Sequence, residues 1–451
     1  MSKLKFSCLL FLMSAPVVAD APATGSLVET DAIEDAVLRG LVAQARGDGA
    51  SFAKLDTLCT DIGARLSGSP QMAKAVDWTE KTMLDEGVPK VWREPVMVPH
   101  WVRGEESLTM LTPRERPMAM LGLGSSVGTP GLEAEVVVVR DWEELGPHVA
   151  GKIVLYDVAM PEGLPSVKNY GATVGYRIRG ADAASEHGAV GVLMRSVTTR
   201  SLYTPHTGTL RYSGEQEKIP AAAITTEDAD LISRMVQAGQ KVSVALKMEA
   251  ETLEDAPSHN VIGEIRGGKR AKEIVLIGAH LDSWDVGCGA HDDGSGVVEV
   301  MEAMRLLASV EGKPRRTIRA VLFTNEENGI RGGRAYAEAH AKERHVAAIE
   351  CDLGGGAPLS WGATGTDEQM RWLREAAAPY GLPVNAGGGG ADIGPLKEHG
   401  TLVIGLRPDD SRYFDIHHTH ADTLDKVDPK ALSEATAALV SLTWALANAP
   451  D

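Results

Sequence analysis

From residue 258 to its end the chain repeats one pattern: a short run of apolar residues, then a longer stretch whose apolar residues recur at helical spacing. Glu273 to Gly278 reads as a buried strand. Gly296 to Ala308 reads as a helix with Val297, Val300, Met301, Met304 and Leu307 on one side. Thr317 to Thr324 is the next strand, Gly333 to Arg344 a helix, Val346 to Asp352 a strand, Gln369 to Tyr380 a helix and Thr401 to Leu406 a strand. Pro429 to Asn448 closes the chain as a helix, and proline suits its first turn because no amide there needs an intrahelical partner. Few folds accommodate such alternation. It predicts an α/β architecture: a mixed, mostly parallel sheet with helices on both faces.

A sheet of that kind places its binding crevice beyond the carboxyl ends of its strands. The residues expected there are acids and imidazoles. His280 ends a strand in IVLIGAHLDSWD, Asp292 follows in GAHDDGSG, Glu326 and Glu327 follow a strand in VLFTNEENG, and Asp352 follows one in AAIECDLGG. His418 lies in a loop, FDIHHTHADTL. One imidazole and one carboxylate on each of two metals, with a further carboxylate shared, make a nitrogen and oxygen shell that suits zinc and leaves positions open for water and substrate. Two such metals roughly 3.5–4 Å apart can clamp a tetrahedral intermediate between them. Neighbours in an extended segment point apart, so one of Glu326 and Glu327 binds metal while the other faces the water as base.

The remainder of the chain has a different texture. Thr30 to Arg46 and Met72 to Glu86 read as helices, the first with Ile33, Val37 and Leu41 inward. From about 105 to 250 the runs become short, β-rich and broken by glycine: Ala134 to Arg140, Lys152 to Val158, Val190 to Met194, Ala221 to Thr225 and Lys241 to Met248. With 451 residues the chain exceeds one hydrophobic core, so 105–250 is expected to form its own small domain. Residues 20–104 and 251–451 are then the two parts of the main one.

The first residues carry Lys3 and Lys5, an apolar stretch from Phe6 to Met13, and small residues ending in Val17-Val18-Ala19. This is the pattern of a secretory signal over 1–19, cleaved near Ala19, and it predicts export to the periplasm or beyond. The body of the chain has no apolar run long enough to span a membrane. Cleavage would remove Cys8 and leave Cys59, Cys288 and Cys351, an odd number with no CxxC spacing, so thiolates are not the ligand chemistry. Cys288 and Cys351 could pair or could serve as small packing residues. A formal charge of -17 excludes a nucleic-acid partner, which needs a basic footprint.

In order, HLDSWD, AHDDGSG, FTNEENG, ECD and HTHADT resemble the motifs of the two-zinc aminopeptidase family of the MH clan, and within it the carboxypeptidase Q group. The likeness extends to TLCTDIGARLSGSP at 57–70, and the inserted segment is similar to a protease-associated domain. The resemblance implies the zinc aminopeptidase-like phosphorylase/hydrolase fold and two Zn²⁺ held by His280, Asp292, Glu327, Asp352 and His418. Asp292 would be the bridging ligand and Glu326 the general base. It implies a cis peptide between Asp292 and Asp293, and a role for Asp282 in orienting a ligand histidine. It selects His418 from its neighbours through the pattern HTxxDT and leaves His417 and His420 unassigned. Asp422 would either orient His418 or make a loop hydrogen bond. Tyr413 would either donate to the oxyanion or pack as a pocket wall, and Gly387 to Gly390 would be a substrate loop or a plain connector.

What the resemblance implies for activity is a zinc exopeptidase acting on small peptide substrates, dipeptides first, in a homodimer. Three other activities fit related scaffolds. An aminopeptidase on longer peptides keeps the whole site, a non-catalytic binding protein would have lost ligands or base, and a glutaminyl cyclase uses one zinc.

Overall fold

The structure is a computed structural model that describes residues 25–162 and 166–450. The expected signal segment lies outside them. The main sheet has eight strands in the order Lys90–Val102, Glu251–Ile265, Arg316–Phe323, Arg270–His280, Arg344–Glu350, Leu402–Pro408, Pro358–Thr364, Val384–Ala386. Arg270–His280 runs parallel to both of its neighbours, and Arg344–Glu350 runs parallel to Leu402–Pro408. The strands from Lys90 and Glu251 pair antiparallel at one edge, and Pro358–Thr364 pairs antiparallel at the other. The carboxyl ends of the four parallel strands therefore share one border of the sheet.

Burial on both faces explains why these strands carry continuous apolar runs. Every residue of Arg316–Phe323 is buried, as is Glu273 to His280. Val275, Ile277 and Ala279 pack on one face under the helices Ala36–Gly47, Pro70–Asp85, Ser295–Ala308 and Pro429–Asn448. Leu276 points to the opposite face, toward Tyr336 and Ala337 of the helix Arg331–Ala339, as the two-residue period of a strand requires.

Two readings of the amino-terminal part shift. The first helix begins at Ala36 rather than Thr30, because the Asp35 carboxylate caps the amides of Val37 and Leu38. Thr30–Ala32 is a separate 3₁₀ turn. The later start turns Leu38, Leu41, Val42 and Ala45 inward and leaves Val37 43% exposed. A further helix, Ala50–Thr57, was not visible in the periodicity.

Residues 106–248 build a second eight-stranded sheet. Its central strands Thr129–Val139, Ile153–Tyr156, Gly191–Arg195 and Ala221–Ile224 run parallel, and helices Ser166–Glu186 and Thr226–Gln237 connect or cover them. The segment is thus α/β, not only β-rich. Its longest helix contains three glycines, which lowers helix propensity, and one of them has a tertiary reason. A Cβ at Gly180 would stand 2.7 Å from the Tyr156 ring, and the Tyr156 hydroxyl donates to the Gly180 carbonyl at 2.9 Å.

The two sheets meet around Trp284. Its ring lies edge-on to Trp101 at 6.5 Å and so close to Gly124 that a Cβ there would be 2.1 Å away. Asp285 beside it receives two guanidinium hydrogen bonds from Arg103, at 2.8 and 2.6 Å.

On the far face of the main sheet His345 is 6% exposed and bonds the Tyr336 hydroxyl through Nε2 at 2.9 Å. Burial, helped by the Arg319 charge, holds its imidazole down at about 4, against 6.5 for the free group. The unfolded chain therefore takes up this proton first as pH falls. The stability that follows is complete above about pH 6.5 and is lost as pH drops toward 4, on the order of 3 kcal/mol. Urea unfolding between pH 7 and 4.5 should show a shallower decline in stability for His345→Gln than for the parent chain.

Candidate metal centre

The site forms where the parallel strands end. His280 is the last residue of its strand, and its Nδ1 sits 2.9 Å from the main-chain oxygen of Asp282. A ring proton on Nδ1 donated to that carbonyl leaves the Nε2 lone pair free. Nε2 faces Asp292 Oδ1 and Asp352 Oδ1, both at 3.3 Å. His418 repeats the arrangement. Its Nδ1 is 3.2 Å from the Thr207 carbonyl, and its Nε2 faces Asp292 Oδ2 at 3.2 Å and Glu327 Oε2 at 3.1 Å. The two oxygens of Asp292 thus look at two different imidazoles, each accompanied by a second carboxylate.

All five expected ligands come together. Sets whose donor atoms lie within 4.8 Å of one another are His280, Asp292 and Glu327; His280, Asp293 and Asp352; and Asp292, His417 and His418. Asp293 and His417 are the additions. The Asp293 carboxylate already accepts the amides of His280 and Gly296, each at 3.1 Å, so it holds backbone. The His417 ring stacks on His418 with centroids 3.5 Å apart, and burial together with that neighbour keeps it well below its ordinary pKa. It forms a neutral wall of the site.

The donor set fits a cation. Asp292 Oδ2 and Glu327 Oε1 are buried without a hydrogen bond of acceptable geometry. Burial drives Glu327 up to about 7, with the Asp292 charge adding to it. Burial would raise Asp292 too, but the imidazoles of His280 and His418 beside it hold it well below the carboxylate range. Burial alone would lower His280, and the Asp352 and Asp292 carboxylates outweigh that and push it well above. A nitrogen and oxygen shell with surplus negative charge suits zinc.

Asp292 sits in the turn Ala290–Gly294 before a buried helix, and its peptide bond to Asp293 is cis, as the resemblance implies. Asp422 accepts the amides of His291 at 2.8 Å and Asp292 at 3.1 Å. Of the two roles open to it, the loop hydrogen bond is the one made, and the His418 ring rests on Thr207 instead. Asp282 also acts differently from expectation. Its carboxylate stands 4.0 Å from His280 Nδ1, and it accepts the amides of Glu326 at 3.0 Å and Glu327 at 3.3 Å, and the Ser67 hydroxyl at 3.2 Å. It sets the glutamate pair, while its main-chain oxygen orients the histidine.

Glu326 and Tyr413 line a cavity of ≈310 Å³ together with Asp292, Asp352, Tyr170 and Arg177. Burial, then the charges of Asp352 and Glu327, push the Glu326 carboxyl well above its usual range. Burial does the same to the Tyr413 hydroxyl, which stays protonated and able to donate. Asn325 and His418 hold left-handed backbone at φ 65° and φ 62°, strain that hydrogen bonds to Ser67 and Thr207 keep in place.

Sequence reasoning did not single out Arg65, which is fully buried and donates to the carbonyls of Leu281, Cys288 and Gly289 at 2.6, 2.7 and 3.1 Å. It straps the loop between His280 and Asp292. Its signal was the run at 57–70, noted as a motif without a role. Thr207 and Arg177 were also missed, because nothing in their spacing connects them to His418. Cys59, Cys288 and Cys351 are all free, and Cys351 is buried in the main core while Cys288 adjoins Cys59. The Cys288–Cys351 pairing does not form.

Residues 260–443 match peptidase family M28. The chain is 40% identical over 410 residues to carboxypeptidase Q of Bos taurus, covering 88% of this chain and 85% of that protein, and equally so to carboxypeptidase Q of Homo sapiens. The crystal structure of a peptidase M28 precursor from Shewanella amazonensis SB2B superposes with a TM-score of 0.89 at 38% identity, covering 94% of this chain and 98% of that one. A zinc aminopeptidase from Bacillus subtilis shares the fold, with a TM-score of 0.64 at 21% identity over 87% of this chain and 93% of that one.

If Asp282 sets the glutamate pair, Asp282→Ala should weaken zinc binding by about 10–100-fold without unfolding the chain. Competition with a chromophoric chelator, alongside a circular dichroism melt, measures both.

Proposed function

The chain belongs to peptidase family M28 and is a metallo-exopeptidase, and from that premise we propose that it binds two zinc ions and hydrolyses dipeptides with free ends. His280 and Asp352 would hold one ion, Glu327 and His418 the other, and Asp292 both. The observation that carries this is Asp292 itself, with one oxygen 3.3 Å from His280 and the other 3.2 Å from His418. Bound there, zinc supplies Lewis acidity, which acidifies water and draws charge from a carbonyl oxygen.

The chain's own residues do the rest. Glu326 lies in the same cavity as that cluster and forms no ion pair among the described residues, so its carboxylate takes the proton of the attacking water. It then delivers the proton to the nitrogen of the leaving amine. Burial, with the Asp352 and Glu327 charges behind it, raises its proton affinity, which suits a group that must accept and then release a proton. The Tyr413 hydroxyl, in the same cavity, donates to the oxygen on which negative charge develops. Asp282 holds the backbone of Glu326 and Glu327 so that one faces water and the other metal.

Size supports a short substrate. Tyr170 and Arg177 line the same cavity as Glu326, Glu327 and Asp352, and its volume is ≈310 Å³. The motif resemblance to the carboxypeptidase Q group, which implies dipeptides first, points the same way. We read residues 105–250 as an inserted unit of protease-associated type that narrows access, between parts of the peptidase domain at 20–104 and 251–451. Export after cleavage near Ala19 and assembly as a homodimer belong to the same reading.

Glu326→Gln should lose turnover by at least about 10³-fold while keeping two zinc ions per chain, measured by elemental analysis and dipeptide assay. Retained activity would reassign the base. The parent enzyme should cleave free dipeptides, stop when zinc is chelated and recover when zinc is restored. Faster cleavage of longer peptides would replace the dipeptidase reading with an aminopeptidase, and one zinc without hydrolysis would point to a cyclase.

A further inference from the structure

Buried arginines in this chain are normally paired. Arg65 donates to three carbonyls, Arg316 to Glu273 and the carbonyls of Leu446 and Ala449, and Arg319 to Glu264, Glu343 and Tyr336. Arg407 is different. It lies near the end of the strand Leu402–Pro408, half buried, and among the described residues its guanidinium makes no hydrogen bond or ion pair. Burial accordingly lowers its pKa, with Asp410 and Asp352 opposing only through longer-range attraction. Part-buried and without a partner inside the fold, this guanidinium is left free to pair with an anion that enters beside it.

Arg407 lines a cavity of ≈340 Å³ that shares Val167, Asp352 and Leu353 with the cavity holding Glu326 and the metal cluster. Much of the second is walled by residues without side chains: Gly388, Gly389, Gly390 and Gly405. That bareness is required. A Cβ at Gly390 would come within 2.0 Å of the Glu350 carboxyl carbon, and one at Gly362 would stand 2.8 Å from Arg407 Nε. Gly388 to Gly390 are therefore a wall of this cavity as well as part of a connector.

The acids in the same lining are committed elsewhere. Glu350 accepts the amides of Ile393 at 2.8 Å and Asp392 at 3.4 Å, and Asp352 faces His280 at 3.3 Å. Exposed Lys397 adds a second positive charge to the lining. We propose that this cavity is a substrate subsite for a carboxylate group, and that Arg407 is the residue that selects it. The inference rests on the peptidase reading and adds to it the charge of the substrate. Two sources present the same chemistry to Arg407: an acidic side chain on the dipeptide, or the α-carboxylate at its carboxyl end. Either pairs with two parallel N–H donors of the guanidinium.

The test uses the zinc-loaded enzyme and its Arg407→Met and Arg407→Lys variants on four substrates: Glu-Ala, Gln-Ala, Ala-Ala and Ala-Ala amide. Arg407→Met should raise KM by about 10–100-fold for the substrates that bear the selected carboxylate, with kcat little changed. Arg407→Lys should recover part of the loss. A loss on Glu-Ala but not Gln-Ala assigns the side chain, and a loss on Ala-Ala but not its amide assigns the α-carboxylate.

Equal loss on all four substrates means that Arg407 only balances Asp352, and no loss on any means that the cavity is not used. Both outcomes overturn the proposal. Calorimetric titration of the same peptides into Glu326→Gln, with and without Arg407→Met, reads binding without turnover. An enzyme that hydrolyses none of the peptides refutes the dipeptidase reading. Failure of Arg407 to discriminate in that titration refutes the subsite.

Discussion

Repulsion among buried carboxylates is the constraint on which the rest of this structure depends. At the carboxyl border of the main sheet the chain packs more acids than its own cations can balance, and burial strengthens their mutual repulsion. The fold resolves this in two ways. Asp282, Asp293, Glu350 and Asp422 each accept two backbone amides and so become fixed points for the loops that supply them. Asp292, Glu327 and Asp352 turn instead toward the imidazoles of His280 and His418, and buried oxygens of the first two carry no hydrogen bond of acceptable geometry. The loops are shaped by the first group. A cation is called for by the second.

The centre does not belong to one sheet. His280, Asp292, Glu327 and Asp352 come from the ends of the parallel strands, but the ring of His418 is oriented by Thr207, which lies in the segment of the second sheet. The contact is reciprocal, since the Thr207 amide donates to the His418 carbonyl at 3.0 Å. Tyr170 stacks on Phe414 at 4.8 Å and donates nothing to the metal cluster, yet it receives a hydrogen bond from Arg177, which in turn reaches His418. Trp284 anchors the junction a few residues beyond His280. Residues of the second-sheet segment therefore bear directly on the position of the His418 ring.

Much of the main fold was legible because its signals are local. Apolar runs bounded by glycine and acids marked the strands, and the helices Ser295–Ala308 and Pro429–Asn448 lie within a residue of where periodicity put them. Legibility failed where a cap or a tertiary contact decided the outcome. Asp35 moved the start of the first helix and turned Val37 outward. The helix Ser166–Glu186 was missed because its glycines look like breakers until Tyr156 is seen packed on one of them. Arg65, Thr207 and Arg407 carry no spacing signal, since their partners are distant in sequence or come from the space between elements.

The sequence by itself determined the four parallel strands of the second half and the helices between them, and which acids and imidazoles stand at strand ends. Those follow from residue type and period, which act over a few neighbours. The antiparallel strand Glu251–Ile265 and the strands Pro358–Thr364 and Val384–Ala386 toward one edge emerged only in the fold. Only the tertiary structure decided which carboxylates hold backbone and which remain for a cation. Motif resemblance separated Asp282 and Asp422 from the ligands Asp292 and Asp352, but only the fold shows that each of the first two is held by two amides from another segment. The division of labour among the acids depends on distances of about 3 Å between segments far apart in the chain.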